Sequence, residues 1–261
     1  APSGKSEERR EPTWAIRGSG PISAVIEKEL RTLLRSMPQL YAVFVPMVMV
    51  FIIGSLFRNG ISSTHHPFQL ALPVCVAYGL LGFTQLMYNN LGAEGQGIQM
   101  LFLFPTPIRT VLLAKNMFHS MLFGLVALLS GALATLRLGR PDAAVIATTI
   151  GWLLFALPAN LAAGNLLSLT MAYRVNLGRI GRQSGSQANS LLSMVIQTTL
   201  LGLGAGIISL SAIFGKLWMA TTLLLVLACG AVFTWLRVLS NADAMANARR
   251  DALIAKLART E

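Results

Sequence analysis

Acidic residues are scarce in this chain. There are ten among 261, namely Glu7, Glu8, Glu11, Glu27, Glu29, Glu94, Asp142, Asp243, Asp251 and Glu261, and none lies in the middle of an apolar run. Ion-coupled pumps usually keep a carboxylate inside the membrane to carry protons or hold sodium. A self-powered secondary transporter is therefore disfavoured, and any transport would draw its energy from elsewhere. Charge of either sign is low, at 12% of residues, about half the share found in an ordinary soluble domain. Cysteine is nearly absent. Cys75 and Cys229 both fall inside apolar runs, where a small buried hydrophobe is the expected role rather than a disulfide or metal ligand.

Signatures of chemistry are missing as well. There is no HExxH metal pair, no GxSxG elbow and no GxxxxGK[ST] phosphate loop. The chain thus carries no catalytic or nucleotide-binding motif of its own, and no cofactor is expected. His65 and His66 have no carboxylate or cysteine near them in sequence and read as a solvated loop. No basic stripe is interleaved with aromatics, so the net charge of +11 does not point to nucleic acid. The first twenty residues lack the apolar core of a secretory signal.

What the chain has is apolar sequence, 54% of it, gathered into long blocks. Six blocks run over 41–57, 70–86, 117–136, 143–171, 191–213 and 217–239. A helix crosses the hydrocarbon core in about twenty residues, with roughly seventeen enough at the short end. The expectation is an all-α, polytopic membrane protein of six spans. The first two blocks are marginal in length, and the fourth holds Pro158, which predicts a kink or an extension out of the bilayer. Residues 1–21 hold four glycines or prolines before Gly20 and Pro21 and read as a disordered linker or the cut end of a longer chain. Residues 22–261 form one membrane domain.

That domain opens on an amphipathic helix over 22–37. Ile22, Val25, Ile26, Leu30, Leu33 and Leu34 recur at helical spacing, while Glu27, Lys28, Glu29, Arg31 and Arg35 mostly take the other positions. Such a helix suits the membrane surface, apolar face in lipid and charges in water, or a packed site on protein. Basic residues collect on cytoplasmic flanks. With the N-terminus inside, seventeen of the 21 Lys and Arg fall on inner segments, which places both termini in the cytoplasm and suggests a bacterial inner membrane. The outer loops are short, and Asp142 is placed to cap the fourth span.

The cytoplasmic loop at 173–189 is basic and rich in Gly and Ser, as a lipid-headgroup contact would be. The polar residues inside spans include Gln85, His119, Asn160, Asn165 and Gln197; interhelical hydrogen bonding is the plain reading. Asn160, Asn165 and Gln197 are also the candidates for a translocation path. Gly202, Gly204, Ala205, Gly206, Gly124, Gly131 and Ala132 suggest close helix approach within the protein.

The most distinctive segment is 88–115, longer than a turn between two spans requires. It begins with Asn89 and Asn90, sets Gly92, Gly95 and Gly97 around Glu94, and continues through Pro105 and Pro107 to Arg109 and Lys115. Together with Glu27, Lys28, Glu29, Leu30 and Arg31 before the first span, this segment resembles the membrane subunits of type-2 ABC exporters, in particular their cytoplasmic connection between spans two and three. The resemblance implies a permease that pairs with a separate ATP-binding subunit. Gly92, Glu94, Gly95, Gly97, Pro105, Arg109 and Lys115 would then provide the ATPase-coupling contact. It also implies a homodimer, or a pairing with a second permease half, since the polar start resembles the joint before a C-terminal half. Residues 214–216 leave no room for the re-entrant outer segment of many members. The alternative is a non-transporting membrane anchor or assembly subunit whose cytoplasmic loop docks a partner.

Overall fold

The computed structural model describes residues 20–60, 67–173 and 187–258. The leader 1–19, the pair His65 and His66, and residues 174–186 of the basic loop lie outside the described residues. The regular structure among the described residues is all helical, with no strand among them.

The elements are α1 (Pro21–Arg35), α2 (Met37–Gly60), α3 (Pro67–Met87), a 3-10 turn (Gly92–Gly97), α4 (Ile98–Leu103), α5 (Ile108–Leu138), α6 (Ala143–Met171), α7 (Gln187–Ile213), α8 (Leu217–Ser240), α9 (Ala242–Ala248) and α10 (Arg250–Leu257). Four helices are long and apolar enough to cross a membrane: α5, α6, the Asn189–Ile213 part of α7, and α8. At a rise of 1.5 Å per residue each exceeds the roughly 30 Å hydrocarbon core. In α3 the apolar stretch Ala71–Phe83 is shorter. Helix α1 starts with Pro21 in its first turn, where a missing N–H costs nothing. It ends where Ser36 turns extended, and the Gln39–Ile52 part of α2 leaves at 91°.

Two expectations need correction, and the one about Pro158 is met by extension rather than by a kink. The third apolar block starts at 117 in the sequence, yet α5 begins at Ile108. After Pro107 nothing in the sequence breaks a helix, so Arg109 and Lys115 lie on α5 rather than in a connecting loop. Asp142 does stand at the N-cap of α6, but its side chain makes no capping bond; its carbonyl accepts the Ile146 N–H at 3.1 Å. Helix α6 runs through Pro158 to Met171 as one element, and its 29 residues span about 44 Å, so it extends beyond the core thickness.

The tightest packing is α6 against α8. Gly151 lets the backbones approach at Thr221, and the Thr148 hydroxyl bonds the Leu217 carbonyl at 3.2 Å and Thr221 Oγ1 at 3.0 Å. Helices α2, α3 and α5 form a second group with α1 laid across α5, and α3 joins the two groups by packing on α6. Val50, Cys75, Leu80, Phe83, Val126 and Leu224 lie at the centre of the main core. Cys229, by contrast, is exposed on α8. Helix α7 is the least enclosed of the four long helices. Of the small residues expected to pack closely, Gly204 sits under the Trp152 indole, whereas Gly124, Gly202 and Gly206 face open space.

The ends of the bundle differ in character. At one end the starts of α6 and α8 meet through Thr148 and Leu217. At the other, α1, the 3-10 turn, α4, the start of α5, the exit of α6, α9 and α10 gather together. This second, charged end carries its own small core of Leu91, Ile98, Ile108, Leu112, Leu239, Leu253 and Leu257 with the residues between them.

Candidate coupling site at the charged end

The 88–115 segment folds as a compact knuckle between α3 and α5. Two of its three glycines have distinct reasons. Gly95 has φ +52° and ψ −126°, a backbone state that other residues reach only with strain of about 1–3 kcal/mol. Gly92 is held where a Cβ would collide with the Asn89 side chain and the Tyr173 carbonyl. At Gly97 a Cβ would meet only an ordinary contact with Glu94.

Glu94 turns inward. Its carboxylate accepts from Lys28 of α1 and lies 2.8 Å from Lys115 Nζ of α5. Lys115 donates in turn to Glu29 of α1 at 2.5 Å. The Lys115 side chain is 1% exposed and that of Glu94 4%. Two cations and two anions thus close a neutral cluster joining α1, the 3-10 turn and α5. Burial alone would raise the Glu94 carboxyl, but the Lys115 and Lys28 ammonium groups outweigh it and hold the carboxyl below its ordinary range.

The expectation that the charges of α1 face water therefore fails at Glu29, while Glu27 pairs with Arg31 one helical turn along. Lys28 and Glu29 complete the site; both belong to the run before the first span that carries the resemblance, but nothing in the run marks them as partners of Glu94 and Lys115.

Tyr88, Asn89 and Asn90 tie the knuckle to α6. The Tyr88 hydroxyl donates to Asn160 Oδ1 at 2.5 Å. Asn89 donates its amide to the Tyr173 carbonyl at 2.7 Å and accepts the Tyr173 N–H at 3.2 Å. The Asn90 N–H donates to the Ser168 hydroxyl at 2.6 Å, and its side-chain amide reaches Asn165 Oδ1 at 3.4 Å.

Gln197 of α7 donates to the Leu81 carbonyl of α3 at 3.2 Å. All three candidate path residues therefore bond toward α3 and the residues just after it, in keeping with the plain reading of interhelical hydrogen bonds. Asn160 and Gln197 also line one small cavity of about 20 Å³ with Trp152 and Phe123. His119 is buried edge-on to Phe83, and with Glu29, Gln39, Asn89 and Asn90 it lines a second cavity of about 40 Å³. That volume and polar lining suit buried water.

The remaining coupling candidates take outer positions. Pro105 and Arg109 are exposed. The Arg109 backbone N–H donates to Asp243 of α9 at 2.9 Å, so α9 caps the start of α5. Arg249 donates to the Thr170 carbonyl at the end of α6 at 3.1 Å. The structure thus joins Glu94 and Lys115 in one interior ion cluster, buries Gly92 separately against Asn89 and Tyr173, and leaves Pro105 and Arg109 at the surface. No protein-family model, curated protein or solved structure matches this chain.

Proposed function

We propose that the chain is the membrane-spanning subunit of an ATP-driven exporter of the type-2 ABC class, coupling hydrolysis by a separate subunit to movement of a substrate. The observation that carries this reading is the neutral ion cluster of Lys28, Glu29, Glu94 and Lys115. A knuckle fixed by that cluster to α1 and α5, and by Tyr88–Asn90 contacts to α6, moves with those helices when it is pushed. A loop without such ties would absorb the push locally.

In this reading α2 and α3 join the four long helices as spans, giving six. The charged end faces the cytoplasm of a bacterial cell, with both termini there, and α1 lies at the membrane surface against lipid. The working unit is a homodimer or a pairing with a second permease half. The path runs between α3, α6 and α7, where Asn160, Asn165 and Gln197 meet a substrate once their bonds to Tyr88, Asn90 and Leu81 part.

The anchor reading is favoured by one feature: Glu94 and Lys115 are satisfied internally and present no charge to a partner. Co-purification with the ATP-binding subunits encoded alongside, followed by measurement of ATP hydrolysis, separates the two. The exporter reading expects stimulation by the wild-type chain and its loss in a Glu94→Ala, Lys115→Ala variant that still binds. Hydrolysis indifferent to the wild-type chain would leave the anchor reading.

A further inference from the structure

Helices α5 and α6 follow one another with only residues 139–142 between them, yet they pack only weakly on each other. Helix α5 lies chiefly against α1, α2 and α3, and α6 chiefly against α8. An apolar groove of about 770 Å³ runs between α5 and α6, floored by Leu72 and Val76 of α3. Small residues keep its α5 wall open. A Cβ at Gly124 would meet nothing within 4 Å, and one at Gly131 only Val76 at 3.8 Å. Ile150 and Leu154 stand half-exposed on the α6 wall.

The groove calls for an apolar occupant with one anionic end. Its hydroxyl groups are already satisfied within their own helices: Ser120 donates to the Asn116 carbonyl at 2.7 Å, Thr135 to that of Gly131 at 2.8 Å and Thr149 to that of Val145 at 2.8 Å. Among the described residues Arg140 is the only charged group in the lining. It is exposed just past the end of α5, where Gly139 turns the chain at φ +93°. Arg137 is engaged elsewhere, 3.3 Å over the Phe51 ring. From Ser120 to Thr135 the α5 wall is about 23 Å long, more than half of the roughly 30 Å hydrocarbon core. A cation at headgroup level above an apolar trough of that depth complements a phospholipid, phosphate at one end and acyl chain below. A second copy fits less well. Copies in one membrane present the same end to Arg140, and among the described residues that end carries a single acid, Asp142, two residues from Arg140 itself.

We propose that the groove between α5 and α6 is a phospholipid site. The Arg140 guanidinium donates to the phosphate, and one acyl chain lies along Gly131 and Gly124. The bound chain fills the space between the α2, α3 and α5 group and the α6–α8 pair. The inference requires that α5 and α6 cross a membrane, for which both are long and apolar enough, and it stands apart from the exporter reading.

The test is native mass spectrometry of the full chain in detergent, titrated with phosphatidylglycerol or with diacylglycerol, which lacks the phosphate. Wild type retains one phosphatidylglycerol and holds diacylglycerol about tenfold more weakly, as for the loss of one charge-assisted contact. Arg140→Gln brings phosphatidylglycerol down to the diacylglycerol level. Gly124→Leu, which fills the groove, weakens both lipids. Lys216→Gln removes an exposed cation at the same end but outside the groove, and it binds as wild type does. Arg140 is a surface residue, so its variant keeps the fold, verified by unchanged melting, and carries the test even where Gly124→Leu does not fold. Equal retention of phosphatidylglycerol by Arg140→Gln and wild type would mean annular lipid only and would overturn the site. So would disulfide cross-linking between copies through Leu128→Cys in a chain lacking Cys75 and Cys229, since it would put a second copy in the groove.

Discussion

Lys115 is the residue on which the charged end depends most directly. Its ammonium neutralises Glu29 and Glu94 in a site almost closed to water. A buried ion cluster adds little stability over an apolar replacement, but removing one member strands the others. Lys115→Met should therefore destabilise the protein by about 3–5 kcal/mol, read by denaturant unfolding in detergent. Adding Glu29→Gln and Glu94→Gln to that variant should restore most of the loss. If the triple variant is no more stable than Lys115→Met alone, the cluster is not what holds α1 and the knuckle to α5.

Glu94 adds a pH dependence of definite sign. Its folded value lies below the ordinary value of 4.5, so its contribution is complete above that pH and is lost as pH falls through the depressed value. Melting temperature should drop on acidification below about 4.5, and the drop should be shallower in Glu94→Gln, which has no carboxylate to protonate there. Equal slopes for the two proteins would refute the assignment.

Between elements, the contact of α3 with α6 is set by a single missing side chain. A Cβ at Gly164 would run into the backbone carbonyl of Met87, which cannot step aside as a side chain could. Gly164→Val should cost about 1–3 kcal/mol or more and loosen the Tyr88–Asn160 and Asn90–Asn165 bonds beside it. Gly202→Val on α7 is the control, since a Cβ there meets nothing within 4 Å. Melting curves that shift equally for the two would show that the α3–α6 approach is not tight. The contrast also corrects the idea that the glycine-rich part of α7 exists for packing inside this chain. Only Gly204, under Trp152, does so among Gly202, Gly204 and Gly206.

For the whole molecule, the arrangement of ends makes a topological prediction. The turn at Gly215 and Lys216 precedes α8, whose start meets the start of α6, whereas α10 belongs to the charged end with α1 and the knuckle. In a variant lacking Cys75 and Cys229, single cysteines at Lys216 and at Ala255 should react with a membrane-impermeant thiol reagent from opposite sides. Ala255 should react only after the inner face is opened. Reaction of both from one side would contradict the proposed crossing pattern.

Composition and block pattern alone determined the helical class and the long apolar elements, because a chain in hydrocarbon must satisfy its backbone within each segment. The positions of α6 and α8 were legible for the same reason, and so was the importance of the 88–115 segment, since glycines and charges between apolar runs need a cause. Helix ends were less legible. The start of α5 at Ile108 was hidden because Lys115 looks like a loop residue until its two carboxylates are known. The pairing of Lys115 with Glu29, 86 residues away, has no local signal, for opposite charges on separate helices meet only once those helices pack. Likewise the inward turn of Glu94, the cap from Asp243 and the seat of α10 on α4 were decided by tertiary structure. Each depends on which faces of distant helices come together, and periodicity within one helix does not specify its neighbour.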